Sequence, residues 1–312
     1  MVDQKIEIVD VSARDGLQNE ARLFSTDEKV DLINQVIDAG VRRLEVASFV
    51  HPKRVPQMAD AEAVIEQLDD REDVTYVGLV LNERGVDRAL ETKVDEVGCV
   101  ALTTDTFAQK NQGQTYKGSV LVAKTIIEKA LKQGRMANVT ISAALGCPFE
   151  GEVPVERVVD MAKALADAGP HEIAIADTIG VGDPWHVEDL ITKLKQALPD
   201  MPIRAHFHNT RNTGIANGFA AVKAGVTTLD GSVAGIGGCP FAPAATGNIP
   251  SEDLIYMLQR QGLAREISLP KLMHTADWLT EKFGRTLPGM LGRAGLFPPS
   301  LAEAMAKPLV AE

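Results

Sequence analysis

One pattern recurs along this chain: a short, mostly apolar run rich in β-branched residues, a polar loop, then a stretch with helical spacing. The runs are IEIVDVS (6–12), RLEVAS (43–48), TYVGLVL (75–81), DEVGCVAL (95–102), VTISAAL (139–145), EIAIADT (172–178), IRAHFHN (203–209) and TTLDGSV (227–233). Near-continuous apolar runs of this length suit strands buried on both faces. Helical stretches fall between them at 26–40, with Thr26 as N-cap and Gly40 as terminator, and at 154–169, with Pro154 in the first turn. Others lie at 183–198, capped by Asp183, at 212–225 and at 251–262. Eight strands alternating with helices predict an α/β fold, a (β/α)8 TIM barrel. A doubly wound sheet competes less well, because no G-x-G-x-x-G turn follows the first strand. The barrel core is expected at about 5–265 and a helical appendage at about 266–312, the whole of 1–312 forming a single domain.

Charge and cysteine usage exclude several classes. A net charge of −11 with only 4% aromatic residues repels phosphate backbones and offers no stacking surface, so nucleic acid is not an expected partner. Cys99, Cys147 and Cys239 are odd in number and far apart, which does not make a disulfide framework. No apolar stretch is long enough to span a bilayer. A reducing, cytoplasmic setting without a membrane partner is the expectation.

In such barrels the chemistry gathers where the strands end. There the chain places Arg14 and Asp15 after the first strand, Glu45 and Ser48 on the second, and Asn82 after the third. Asp177 and Thr178 end the sixth strand, His206 and His208 lie on the seventh, and the loop GIGGCPFAPAATGN (235–248) follows the eighth. Residues i and i+2 of a strand share a face, roughly 7 Å apart, so two imidazoles there can converge on one cation. Asp15 would complete such a site and Asn248 could add an amide oxygen. That donor set suits Mg²⁺ or Mn²⁺ better than Zn²⁺. Arg14 can stabilise an enolate forming on a carbonyl or thioester oxygen. The competing readings are a turn cap for Asp15 and a structural ion pair with Glu45 for Arg14. Cys239, in a loop of Gly, Pro and Ala, reads as an acid or nucleophile, whereas Cys99, inside an apolar run, reads as structural. Cys147 in LGCPFEG falls between the two.

Several segments carry a family resemblance. ARDGLQNE (13–20), SFVHPKRVPQMAD (48–60), LGCPFEG (145–151), ADTIGVGDP (176–184), HFHNT (206–210) and GGCPFAPAATGNIPSEDLIYML (237–258) resemble the 3-hydroxy-3-methylglutaryl-CoA (HMG-CoA) lyases. The likeness runs over about residues 5–285, and its ARDGLQNE and GGCP segments mark the lyase branch of a wider group of metal-dependent barrels. It implies a retro-Claisen cleavage of a 3-hydroxy-3-methyl acyl-CoA into acetyl-CoA and a keto acid. It further implies that Asp15, His206, His208 and Asn248 bind the divalent cation, that Arg14 stabilises the enolate, and that Cys239 protonates the departing acetyl carbanion. Glu45 and Asp177 would support the site, and Glu252 would hold the ligand loop. Gln18, Ser48, Asn82, Lys110, Asn111 and Thr178 are the expected contacts for substrate and CoA, and a homodimer is implied.

The chain departs from the family pattern around these residues. It reads HFHNTRNT, with Asn209 for the usual Asp and Asn212 for the usual Gly, and DVSA (10–13) for Glu-Val-Gly-Pro. The resemblance implies HMG-CoA or a related 3-hydroxy acyl-CoA as substrate, and such changes open the alternative of citramalyl-CoA or a longer branched homologue. A condensing synthase of the same group and a non-catalytic barrel are the rival readings.

Overall fold

In the computed structural model, which describes residues 5–238 and 247–298, the eight runs form one closed parallel barrel in chain order. The strands are β1 (Glu7–Asp10), β2 (Arg43–Ser48), β3 (Thr75–Val80), β4 (Glu96–Leu102), β5 (Met136–Ser142), β6 (Glu172–Asp177), β7 (Ile203–Phe207) and β8 (Thr228–Gly231). The helices between strands are α1 (Thr26–Asp38), α2 (Ala61–Gln67), α3 (Glu83–Leu90), α4 (Asp105–Gln112), α5 (Tyr116–Lys132), α6 (Val155–Ala166), α7 (Pro184–Ala197) and α8 (Gly214–Lys223). After β8 come α9 (Ser251–Gln259), α10 (Leu269–Phe283) and α11 (Leu291–Ala294). No helix among the described residues is long and apolar enough to cross a membrane.

Local chemistry explains where the expected boundaries move. Helix α1 is capped by Ser25, not Thr26: Ser25 accepts from the Glu28 amide and the Glu28 side chain reaches back to the Ser25 amide. Thr26 instead donates to Asp60 at 2.8 Å. Pro154 sits just outside α6, in extended backbone. Strand β5 lies three residues earlier than expected, because Ala143 takes a left-handed φ of 57° and turns the chain out of the sheet.

The two faces of each strand have different chemistry. Leu44, Val46, Val97, Cys99, Val139, Ile141, Ile173, Ile175, Ala205 and Phe207 are fully buried in the layer under the helices. Burial pushes the Cys99 thiol up, and its Sγ lies 3.8 Å from the Ala123 carbonyl of α5, as a structural cysteine would. The alternating positions point into the barrel, and many are polar: Arg43, Glu45, Glu96, Asn138, Thr140, Glu172, Arg204, His206 and Asp230. Barrel interiors are more often filled by Val, Ile and Leu. Buried charge on this scale needs partners and bears on the site above it.

Candidate active site

Strand β1 stops at Asp10, and a single π-type turn, Ser12–Gly16, lifts Arg14 and Asp15 over the barrel mouth. The turn packs so closely on the segment after β8 that a Cβ on Gly16 would come within 2.8 Å of Ile236. Ser12 of the DVSA segment ties the two together: its hydroxyl donates to Asp10 at 2.9 Å and accepts from the Val233 amide at 2.6 Å. Opposite, His206 and His208 project from β7 and its end, with ring centres 5.2 Å apart.

Asp15, His206 and His208 each bring a ligand atom within 4.8 Å of the others, a grouping that can hold a metal ion. Asn248 joins them, donating to Asp15 at 2.8 Å while His208 and Asn248 pair along the backbone. Two buried polar atoms there, His208 Nδ1 and Asn248 Oδ1, have no hydrogen-bond partner among the described residues. Unpaired buried polar atoms are costly, so their presence beside a carboxylate and a second imidazole fits a cation-binding cluster.

Electrostatics keeps Asp15 and His208 in ligand form. Burial alone would raise the Asp15 carboxyl, but Arg14 and then the two histidines hold it down at about 2. Burial, and next the neighbouring His206, push His208 down to about 4. Burial opposes protonation of His206 as well, yet the hydrogen bond and charge of Asp230 outweigh it. Asp230 Oδ2 lies 3.0 Å from His206 Nδ1, which leaves Nε2 to face the cluster. Sequence reasoning missed Asp230, although an acid inside the strand TLDG signals a buried partner.

Arg14 bridges two carboxylates, donating to Asp15 at 2.6 Å and Glu45 at 2.8 Å. The cavity beneath, of about 160 Å³, is walled by these residues with Gln18, Asn111, Thr178 and the apolar Leu79, Leu81, Val100, Leu102 and Phe107. An adjoining groove shares Gln18, Asn19, Leu81 and Asn111 with it and continues past Asn82, His51 and Arg54. Asn82 also caps α3 through the Gly85 amide at 2.9 Å. Ser48 and Lys110 line neither space: Ser48 is buried with its hydroxyl unpartnered among the described residues, and Lys110 rests over the Phe149 ring. Cys147 lies beside Thr104, its sulfur 3.0 Å from that hydroxyl, also away from the lining.

The remaining candidates hold loops. Asp177 accepts from the Val181 and Gly182 amides at 3.0 and 2.9 Å, and its carboxyl is raised by burial despite them. Asn209 accepts from Gly214 at 3.0 Å, fastening the turn before α8, and Asn212 in that turn has a φ of 59°. Asn tolerates this left-handed backbone better than most residues, which accounts for its standing where the family has Gly. Glu252 accepts from the Ala234 amide at 2.9 Å and so fixes the segment leading into GIGG. Cys239 lies outside the described residues, but its neighbour Gly238 lines the cavity and accepts from Asn19 at 2.8 Å.

Comparison with known proteins agrees with this architecture. The model of the HMGL-like family matches residues 5–279. Hydroxymethylglutaryl-CoA lyase YngG of Bacillus subtilis is 38% identical, over 91% of this chain and 95% of its own length. An (R)-citramalyl-CoA lyase of Chloroflexus aurantiacus is also 38% identical, over 94% of this chain and 95% of its own. Among solved structures, the B. subtilis HMG-CoA lyase superposes with a TM-score of 0.90 at 37% identity, covering 93% of this chain and 98% of that one. An HMG-CoA lyase from Acinetobacter baumannii, in complex with coenzyme A and 3-methylmalate, gives 0.90 at 34% identity, covering 96% and 97%. With the family model matched over most of its length and relatives this close, the chain belongs to the HMGL-like family of carbon–carbon lyases.

Proposed function

We propose that the chain cleaves a 3-hydroxy-3-methyl acyl-CoA into acetyl-CoA and a keto acid, in a reaction that depends on Mg²⁺ or Mn²⁺. The observation that carries this is the convergence of Asp15, His206 and His208 beside the Arg14 fork, at the mouth of the barrel. When bound there, a divalent cation supplies a positive charge that orients and polarises the substrate's hydroxyl and carboxylate oxygens.

The chain's own residues do the rest. Asp15, His206, His208 and Asn248 hold the cation. Arg14, kept in place by Glu45, presents its charge to the thioester oxygen, where negative charge develops as the bond between the α and β carbons breaks. The hydroxyl gives its proton to the Glu45 carboxylate, which lines the cavity, and its oxygen becomes the keto group, while the electron pair of the breaking bond passes to the acetyl fragment. Cys239 delivers the proton that this fragment takes up. Gln18, Asn111 and Thr178 contact the acyl portion, and the groove past Asn82 takes the arm of the coenzyme. Ser48 and Lys110 have no part in this reading.

Two substrates compete. Equal identity to an HMG-CoA lyase and a citramalyl-CoA lyase favours neither. The apolar wall from Leu79 to Phe107 favours a relative of HMG-CoA with a longer apolar branch, and the likeness to the citramalyl-CoA lyase keeps citramalyl-CoA beside it. Steady-state comparison of these thioesters decides: a hundredfold preference in kcat/KM for HMG-CoA rejects the second reading.

A further inference from the structure

The barrel interior beneath the cluster carries a connected set of buried charges. Arg43 on β2 grips Glu96 with Nε at 2.8 Å and Nη2 at 2.6 Å, and reaches Glu172 at 2.9 Å. Arg204 on β7 continues the set. Its Nη2 donates to Asn138 at 3.3 Å, and its Nε lies 3.6 Å from Glu172 and 3.4 Å from Asp230 Oδ1. The other oxygen of Asp230 meets His206 Nδ1 at 3.0 Å. Every member of the chain Glu96, Arg43, Glu172, Arg204, Asp230 and His206 is buried.

A buried carboxylate needs a counter-charge and a fixed geometry. Among the described residues, Arg204 is the guanidinium within ion-pair distance of Asp230. It also lines the floor of the cavity, two residues before His206 and on the same face of β7. We infer that Arg204 is a positioning residue for the cation site: its charge, 3.4 Å from one oxygen of Asp230 and without a hydrogen bond to it among the described residues, draws that oxygen down, leaves the other to meet His206 Nδ1, and so commits His206 Nε2 to the cluster. The inference rests on reading Asp15, His206 and His208 as a cation site.

Two measurements on the whole protein separate this role from general stability. In metal-free protein labelled with ¹⁵N-histidine, long-range ¹H–¹⁵N spectra at alkaline pH report the His206 tautomer. Titration with Mn²⁺, followed by electron paramagnetic resonance, reports affinity. The parent is expected to hold His206 with the proton on Nδ1. Arg204→Met is expected to mix the tautomers and weaken Mn²⁺ binding about tenfold or more. Arg204→Lys, which keeps the charge, is expected to restore most of both. If Arg204→Met does not fold, the double variant with Glu172→Gln removes the second stranded carboxylate and is read in its place. Arg204→Met, or its double variant with Glu172→Gln, that folds and keeps the parent's tautomer overturns the inference, whether its Mn²⁺ affinity is unchanged or reduced. A parent that binds no Mn²⁺ overturns the cation reading instead, and the tautomer still decides the role of Arg204.

Discussion

Arg14 and Glu45 meet across 2.8 Å, guanidinium to carboxylate, while the second fork nitrogen of Arg14 lies 2.6 Å from Asp15. Strand β2 and the turn after β1 thus hold one guanidinium at a fixed place above the cavity. Replacing Arg14 by Met should lower kcat by about a hundredfold or more, the usual cost of losing a preorganised charge at a developing oxyanion. Arg14→Lys should recover little, because an ammonium cannot fork to two carboxylates. Steady-state kinetics of both variants checks this, and near-parental turnover by Arg14→Lys would count against the fork.

The cation cluster makes a separate prediction. His208→Ala removes one ligand atom, and Asp15→Asn the negative charge of another, from a group whose members lie within 4.8 Å. Each should weaken Mn²⁺ binding at least about tenfold, by analogy with the cost of disturbing even outer partners of metal ligands. Calorimetric titration of the purified variants measures it.

Cys239 is placed in the reaction by its sequence setting alone. Cys239→Ser or Ala should lower turnover by about 100-fold or more, the range for a general acid, while Mn²⁺ affinity stays at the parental value. A variant that turns over normally removes the thiol from the mechanism.

Glu252 gives a pH signature in stability. Burial raises its carboxyl from the ordinary 4.5 to about 8. Between those values the folded protein keeps the proton that the unfolded chain has lost, so raising the pH favours unfolding. The parent should therefore lose stability from this group between pH 5 and 8, by a few kcal/mol at most, because one proton more in the folded state is worth about 1.4 kcal/mol for each step of one in pH. Glu252→Gln retains a neutral side chain that can accept from Ala234, and should remove that slope. Urea unfolding at the two pH values compares them; identical slopes would mean that Glu252 is ionised in the folded state.

The barrel was legible because its outward faces are apolar and its helices recur on cue. Helices α2 to α5 were not, for local reasons. In α5, exposed Leu121 beside buried Val120 and Ala123 makes an apolar run rather than a stripe, and α3 and α4 have only eight residues each. Histidines 206 and 208 stood out because two imidazoles two residues apart share a strand face. Asp230 and Arg204 did not, since a polar residue facing inward finds its partner on another strand, and only the register of β6, β7 and β8 shows which one. Gln18 and Thr178 could be matched to the cavity through the family segments, and Asn111 through the polar stretch after β4, whereas Ser48, in another family segment, and Lys110, beside Asn111, face elsewhere.

Release of acetyl-CoA is the decisive readout for cation-dependent cleavage. The protein is stripped with a chelator, given HMG-CoA, citramalyl-CoA and a longer branched thioester in turn, and assayed before and after Mg²⁺ or Mn²⁺ is restored. No cleavage is expected without the cation, and stoichiometric acetyl-CoA is expected from at least one thioester with it. Full activity after stripping, or no acetyl-CoA from any of them when the cation is present, would contradict the proposed chemistry.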